Sequence, residues 1–245
     1  MNAESSHYSR TQAFHDQAAR ERGGFYDWKP EASGAPHHSR WQARTRALVL
    51  ASMGRLAAQG NIGRVLDVGC GKGDFAREVH ARLPQAQVVG VDFSTDMIEL
   101  ARQGLGGSEN HEDTKGTKRP PRLPLDFRVA SLPALELGDE AFDVVVCLNV
   151  FHHVHADDQA LALGNMLRRA RQAVILEIKN ARCPYKRLPR GQWLDPATRV
   201  FPTTARAIAG IATANGFRVA ARAPIFGIDL LSPIVVLTLV RAEAS

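Results

Sequence analysis

Cysteine is scarce in this chain and forms no pattern. Cys70, Cys147 and Cys183 are the only three in 245 residues, with no C-x-x-C pair. An odd count without a C-x-x-C pair or a histidine at ligand spacing suggests neither a disulfide framework nor a zinc site. Cys70, between two glycines, reads as a small filler rather than a nucleophile. Long apolar runs are missing too. None reaches the roughly 18 residues of a membrane-spanning helix, and the start, MNAESSHYSR, lacks the apolar core of a secretory signal, so a cytoplasmic protein is expected. No internal repeat is visible. What is present is ordinary for a globular α/β chain of this length, 44% hydrophobic and 23% charged. The net charge of +6 leaves open an anionic partner such as a phosphorylated lipid, a membrane surface or RNA, against the plainer alternative of a solvated basic surface.

The informative stretch runs from Arg64 to Phe75, RVLDVGCGKGDF. Val65 to Val68 form a short apolar run broken by Asp67, and Gly69, Gly71 and Gly73 follow at alternate positions before a helical pattern opens at Asp74. A strand, a glycine turn and a helix start let a ligand lie on bare main chain, with the N–H groups of the next helix pointing at it. In the dinucleotide fingerprint G-x-G-x-x-G/A the third small residue would stand where Asp74 is. A carboxylate there, with Asp67 nearby, repels a diphosphate; a zwitterionic or cationic ligand suits the loop better. Asp92 ends the next strand pattern, QAQVVGVD, about 20 residues after the turn, where a carboxylate holds a ribose diol.

VLDVGCGKGDF resembles motif I of the class I S-adenosylmethionine (SAM)-dependent methyltransferases, in particular methyltransferase domains of types 11 and 25. Their usual form is an apolar strand, Asp or Glu, then GxGxG. FDVVVCLNVFHHV is similar to the family's fourth strand and the turn after it. The resemblance covers about residues 40 to 241 and implies a doubly wound, Rossmann-like α/β domain of seven strands in order 3-2-1-4-5-7-6, strand 7 antiparallel. It implies SAM as cofactor, held by Asp67, Gly69, Cys70, Gly71, Gly73, Asp92, Phe93 beside the adenine, Met97, Ser131, Leu132 and Asn149. Ser131 stands where the family often has an Asp, so a hydroxyl or backbone group must replace that carboxylate. His152 and His153 lie where the acceptor enters and are candidate bases, with packing or capping at a helix start as the alternative. Glu177 and Lys179 share a strand face and form an internal pair or mark the strand's end.

The chain divides into an amino-terminal flexible or lid segment, 1–38, and a methyltransferase domain, 39–245. A short helix is expected near Thr11 to Arg22 and an amphipathic one from Ser39 to Gly60. In the family such a leading helix lies over the cofactor mouth, which makes Tyr26, Arg40 and Arg44 candidates, or plain surface residues. Residues 104–122 read as a flexible insertion with a basic end, Lys115 to Arg122. The loop 179–202 lies on the acceptor side, where Tyr185 and Trp193 are recognition candidates. The implied activity is SN2 transfer of a methyl group to a small-molecule, lipid-linked or sugar acceptor. Alternatives are an RNA or other macromolecular acceptor, a non-catalytic SAM-binding partner subunit, and an NAD-dependent oxidoreductase, which Asp74 disfavours.

Overall fold

Alternate side chains along each central strand go to opposite faces, and in this chain both sets are apolar, the pattern of a parallel sheet covered on two sides. The computed structural model describes residues 3–22, 36–105, 124–184 and 200–242. Tyr26, Tyr185, Trp193 and the basic run Lys115 to Arg122 lie outside the described residues. Helices α1 (Ala3–Arg22) and α2 (Pro36–Gln59) lead into β1 (Arg64–Val68), α3 (Asp74–Arg82), β2 (Gln87–Asp92), α4 (Thr95–Gln103) and β3 (Leu125–Val129). β4 (Phe142–Cys147), α5 (Gln159–Arg169), β5 (Ala170–Lys179), α6 (Ala205–Ala214), β6 (Phe217–Pro224) and β7 (Ile234–Arg241) follow. The sheet order is β3-β2-β1-β4-β5-β7-β6, with β7 antiparallel to β5 and β6, as the resemblance implies.

On one face Leu66, Val89, Val145, Val174 and Leu237 pack under Leu163, Met166 and Leu167 of α5 and Ile208 of α6. On the other, Val65, Val88, Val144, Ile175 and Val236 meet Val49 and Met53 of α2, Phe75 and Val79 of α3 and Ile98 of α4. This corrects the expectation for the leading helix. Val49, Met53 and Leu56, spaced four and three apart, sink α2 into the sheet face, so Arg40 and Arg44 are exposed on its outer side and do not reach the ligand cleft.

Helix α1 is longer than expected, because nothing between Ala3 and Arg22 breaks it and the first glycine is Gly23. Before α5 a 3-10 turn occupies Ala156–Asp158, and β5 takes over directly at Ala170. Thr204 caps α6, its hydroxyl accepting from the Ala207 N–H at 3.1 Å.

The glycines of the β1–α3 region are set by Phe127 of β3. A Cβ at Gly73 would come 2.5 Å from Phe127 Cζ, and one at Gly90 would come 2.7 Å from Cδ1. Only glycine fits either place, and Phe127 is 1% exposed. Phe127→Ala should therefore cost about 3–5 kcal/mol in denaturant unfolding; a loss below about 1 kcal/mol would contradict this packing.

Candidate functional site: a glycine turn closed by Asp92

The turn after β1 carries φ values of 76° at Gly69, 53° at Gly71 and 82° at Gly73, the left-handed region that glycine takes without penalty. Its donors are used inside the protein. Gly69 and Cys70 N–H both donate to the Val91 carbonyl, at 2.7 and 2.9 Å, and Gly73 N–H donates to the Cys70 carbonyl at 2.9 Å. Gly71 N–H donates to Asp92 Oδ2 at 2.9 Å, and Ser94 N–H to Asp92 Oδ1 at 3.0 Å. The N–H groups of these four turn residues are thus spent within the protein. What the turn offers is bare surface: a Cβ at Gly71 would meet nothing within 4 Å, whereas one at Gly69 would strike Val150 Cγ2 at 2.1 Å.

Around the turn lies a cleft of about 1070 Å³, its open mouth and the solvent there included. It is lined by Gly69, Cys70, Gly71, Asp92, Phe93, Met97, Ser131, Leu132, Asn149 and His153 among the expected residues. Gly73 is buried beneath it against Phe127. Asp67 is 2% exposed and also lies below the lining. His152 is buried at 5% exposure and does not line the cleft, because the 3-10 turn Phe151–His153 sends successive side chains different ways.

Electrostatically the floor is acidic. Burial, and then the charge of Asp92, push Asp67 up to about 7, with Arg46 opposing. Burial likewise lifts Asp92 to about 6, against the pull of its bonds from Ser94 and Gly71. Asp67 Oδ2 has no hydrogen-bond partner among the described residues. Burial first, then Asp67 and Asp92, hold the Cys70 thiol well above its ordinary value, which keeps it protonated and fits a filler.

Asn149, at φ 60°, is fixed by a buried ion pair. Its N–H donates to Glu177 Oε2 at 3.0 Å, Lys179 Nζ donates to its Oδ1 at 3.2 Å, and Lys179 meets Glu177 at 2.6 Å. The pair expected on β5 is therefore internal and braces a residue of the cleft wall.

Tyr8, Thr11 and His15 of α1 also line the cleft, and sequence reasoning missed all three. Gln12 donates to the Phe93 carbonyl at 3.2 Å, Ser94 Oγ to Asp16, and Arg20 meets Asp96 at 2.6 Å. On the other side of the mouth, Tyr8 O–H donates to Asp158 at 2.6 Å, and His7 Nε2 lies 3.0 Å from the His153 carbonyl oxygen. Among the described side chains of α1 the buried ones are His7, Thr11, Ala18 and Ala19, a face too polar and too small to give an apolar period. A tyrosine and two histidines within nine residues, HYSRTQAFH, was the available signal.

Asp67 sets a pH dependence. Its folded pKa, about 7, lies above the ordinary value of 3.8, so the folded state holds a proton that the unfolded chain has released, and stability falls as pH rises from about 4 to about 7. Asp67→Asn should melt progressively higher than the wild type as pH is raised across that window; a melting difference independent of pH would contradict the assignment.

Residues 65–173 match the family model described as "Methyltransferase domain". A demethylmenaquinone methyltransferase of Deinococcus radiodurans is 35% identical over 115 residues, which are 46% of this chain and 42% of that protein. One of Roseiflexus sp. is 31% identical over 169 residues, 69% of this chain and 60% of that protein. The chain thus spans less than two thirds of the length of either relative. The magnesium protoporphyrin IX methyltransferase of Synechocystis PCC 6803, solved with bound SAH, superposes with a TM-score of 0.68 at 19% identity, covering 96% of this chain and 100% of that one. Its likeness is one of fold. The glycine turn, the seven-strand order and the match over residues 65–173 agree: the chain carries a region similar to the methyltransferase domain, on the fold of the class I SAM-dependent methyltransferases.

Proposed function

We propose that the chain binds S-adenosylmethionine across the Gly69–Gly73 turn and transfers its methyl group to a small-molecule acceptor. The observation that carries this reading is the spent main chain of the turn. Four of its five N–H groups, those of Gly69, Cys70, Gly71 and Gly73, already bond within the protein. A diphosphate would need such donors free. A sulfonium nucleoside needs none, and it gains from the acidic floor of Asp67 and Asp92. The bare position at Gly71 accepts close approach of a ligand. Each Asp92 oxygen takes one N–H bond, which leaves lone pairs on the carboxylate for a ribose diol.

The sulfonium supplies a methyl group that is already electrophilic, so what the protein contributes is chiefly alignment in a dry cleft. Phe93 and Met97 give an apolar bed on one side, and Leu132 closes it near the strand ends. Asn149, held by Glu177 and Lys179, presents a fixed edge on the opposite wall. Ser131 takes the place of the carboxylate usual in relatives. The two curated relatives act, by name, on demethylmenaquinone, and together with the apolar lining this favours a small aromatic acceptor over a sugar or an RNA. His153 faces that acceptor; His152 supports the turn from below and is not proposed as a base.

Asp92→Asn keeps the size of the side chain and removes its charge. It should weaken SAM binding by about tenfold or more in calorimetry, since charge-assisted hydrogen bonds contribute about 1.5–3 kcal/mol each; unchanged affinity would remove the ribose role. Gly71→Ala should leave a folded protein with SAM binding largely lost, because the added methyl enters the cleft and not the core. A fully binding Gly71→Ala variant would place the ligand elsewhere.

A further inference from the structure

We propose that His15, carried on α1, is the base of an acceptor half-site shaped for a neutral aromatic or enolic hydroxyl compound. The proposal rests on the SAM reading above and names the acceptor class for the same cleft. Beside the residues assigned to the cofactor, the cleft is lined by Tyr8, Thr11, His15, His153 and Val154. Their hydroxyl groups are turned toward the protein. Tyr8 O–H donates to Asp158 at 2.6 Å and its oxygen accepts from the His155 N–H at 3.2 Å, while Thr11 Oγ donates to the His7 carbonyl at 3.0 Å. That leaves His15 and His153 as the imidazoles able to meet an acceptor hydroxyl.

Of the two, His15 stands between Phe93 and His153. Its ring stands edge-on to Phe93, centroids 5.4 Å apart, and edge-on to His153 at 6.1 Å. Among the described residues no hydrogen bond ties its ring nitrogens; its other close ring is Phe14, at 5.6 Å. Burial holds the imidazole below its ordinary pKa, with Asp16 acting the other way. At neutral pH a ring nitrogen therefore carries a lone pair. The support is specific as well: Gln12 and Asp16, on either side of His15 in α1, bond to Phe93 and Ser94, the two residues that follow Asp92. Base and ribose carboxylate are thus anchored to one loop.

Charge defines the acceptor class. Among the described lining residues the one Lys or Arg, Lys72, lies 3.6 Å from Asp74, and the floor is acidic. Among the described residues, a phosphate or carboxylate on the acceptor meets only Lys72, already beside Asp74, and an acidic floor. A neutral hydroxyl on a flat conjugated ring meets apolar walls and an imidazole. In the step, the acceptor O–H bond breaks, its proton passes to the His15 nitrogen, and its electron pair stays on oxygen, delocalised into the ring. The oxygen, or the ring carbon conjugated to it, forms the bond to the methyl carbon as the carbon–sulfur bond breaks with its pair on sulfur. For attack through carbon, the ring proton then moves to oxygen. The imidazolium gives its proton to solvent.

The test uses the full chain saturated with S-adenosylhomocysteine, titrated with 4-nitrophenol at a pH where the free phenol is mostly protonated. Its near-ultraviolet band, which moves to longer wavelength when the phenol O–H bonds to a ring nitrogen, reports the contact. The expected result is saturable binding with that shift in the wild type, affinity weakened by about tenfold in His15→Gln, and unchanged S-adenosylhomocysteine affinity in that variant, which also certifies its fold. Should the variant misfold, His15→Asn is measured in the same way. An equal shift and affinity in wild type and variant, loss only in His153→Gln, or no nitrophenol binding overturns the proposal while the cofactor reading stands. A wild type that binds no S-adenosylhomocysteine overturns both.

Discussion

The two oxygens of Asp92 hold the cleft together. One takes the N–H of Gly71 and the other the N–H of Ser94, so a single buried carboxylate ties the β1 turn to the loop after β2. Phe93 and Ser94 in turn receive α1, through Gln12 and Asp16. Floor, wall and cover of the cleft are therefore connected through a residue at the end of one strand. Such a carboxylate is costly to bury, and the cost is visible in its raised pKa. Placing a ligand's hydroxyl groups against it relieves part of that cost, which is why an acid so disfavoured in the bare fold suits a binding site.

The opposite wall also rests on buried charge. Glu177 and Lys179 are both buried, and a buried pair of this kind is weak evidence for stability on its own. Here the pair positions a neighbour, because it meets both the main chain and the side chain of Asn149, a non-glycine residue at positive φ. A conformation that costs of order 1–3 kcal/mol is kept only where its surroundings enforce it. The strained residue lines the cleft and its enforcers lie behind it.

Much of this was legible in the residues, and the reasons differ by element. β1, β2, β4 and β5 announce themselves because both faces are covered, which makes Val144 to Cys147 a continuous apolar run, and a turn follows β1 where Gly69 interrupts. Asp92 was legible because a carboxylate at a strand end, one β–α unit after a glycine turn, has few purely structural uses. Helix α1 was not. Its contacts are polar ones to main chain and carboxylates, such as Tyr8 to Asp158, and these leave no periodicity. The placement of α2 was misjudged for a related reason: its amphipathic stripe says that one face is buried and does not say against which surface. His152 and His153 are adjacent and alike in sequence, and only the geometry of the 3-10 turn separates the one that reaches the cleft.

A phosphate-free sulfonium nucleoside, and not a dinucleotide, is the ligand that this turn suits. Competitive titration of the wild-type protein with S-adenosylhomocysteine and NADH tests that claim most directly. Saturable binding of S-adenosylhomocysteine at one site, undisturbed by excess NADH, is the predicted result. Tight binding of NADH that displaces S-adenosylhomocysteine, or that occurs where S-adenosylhomocysteine does not bind, would contradict it.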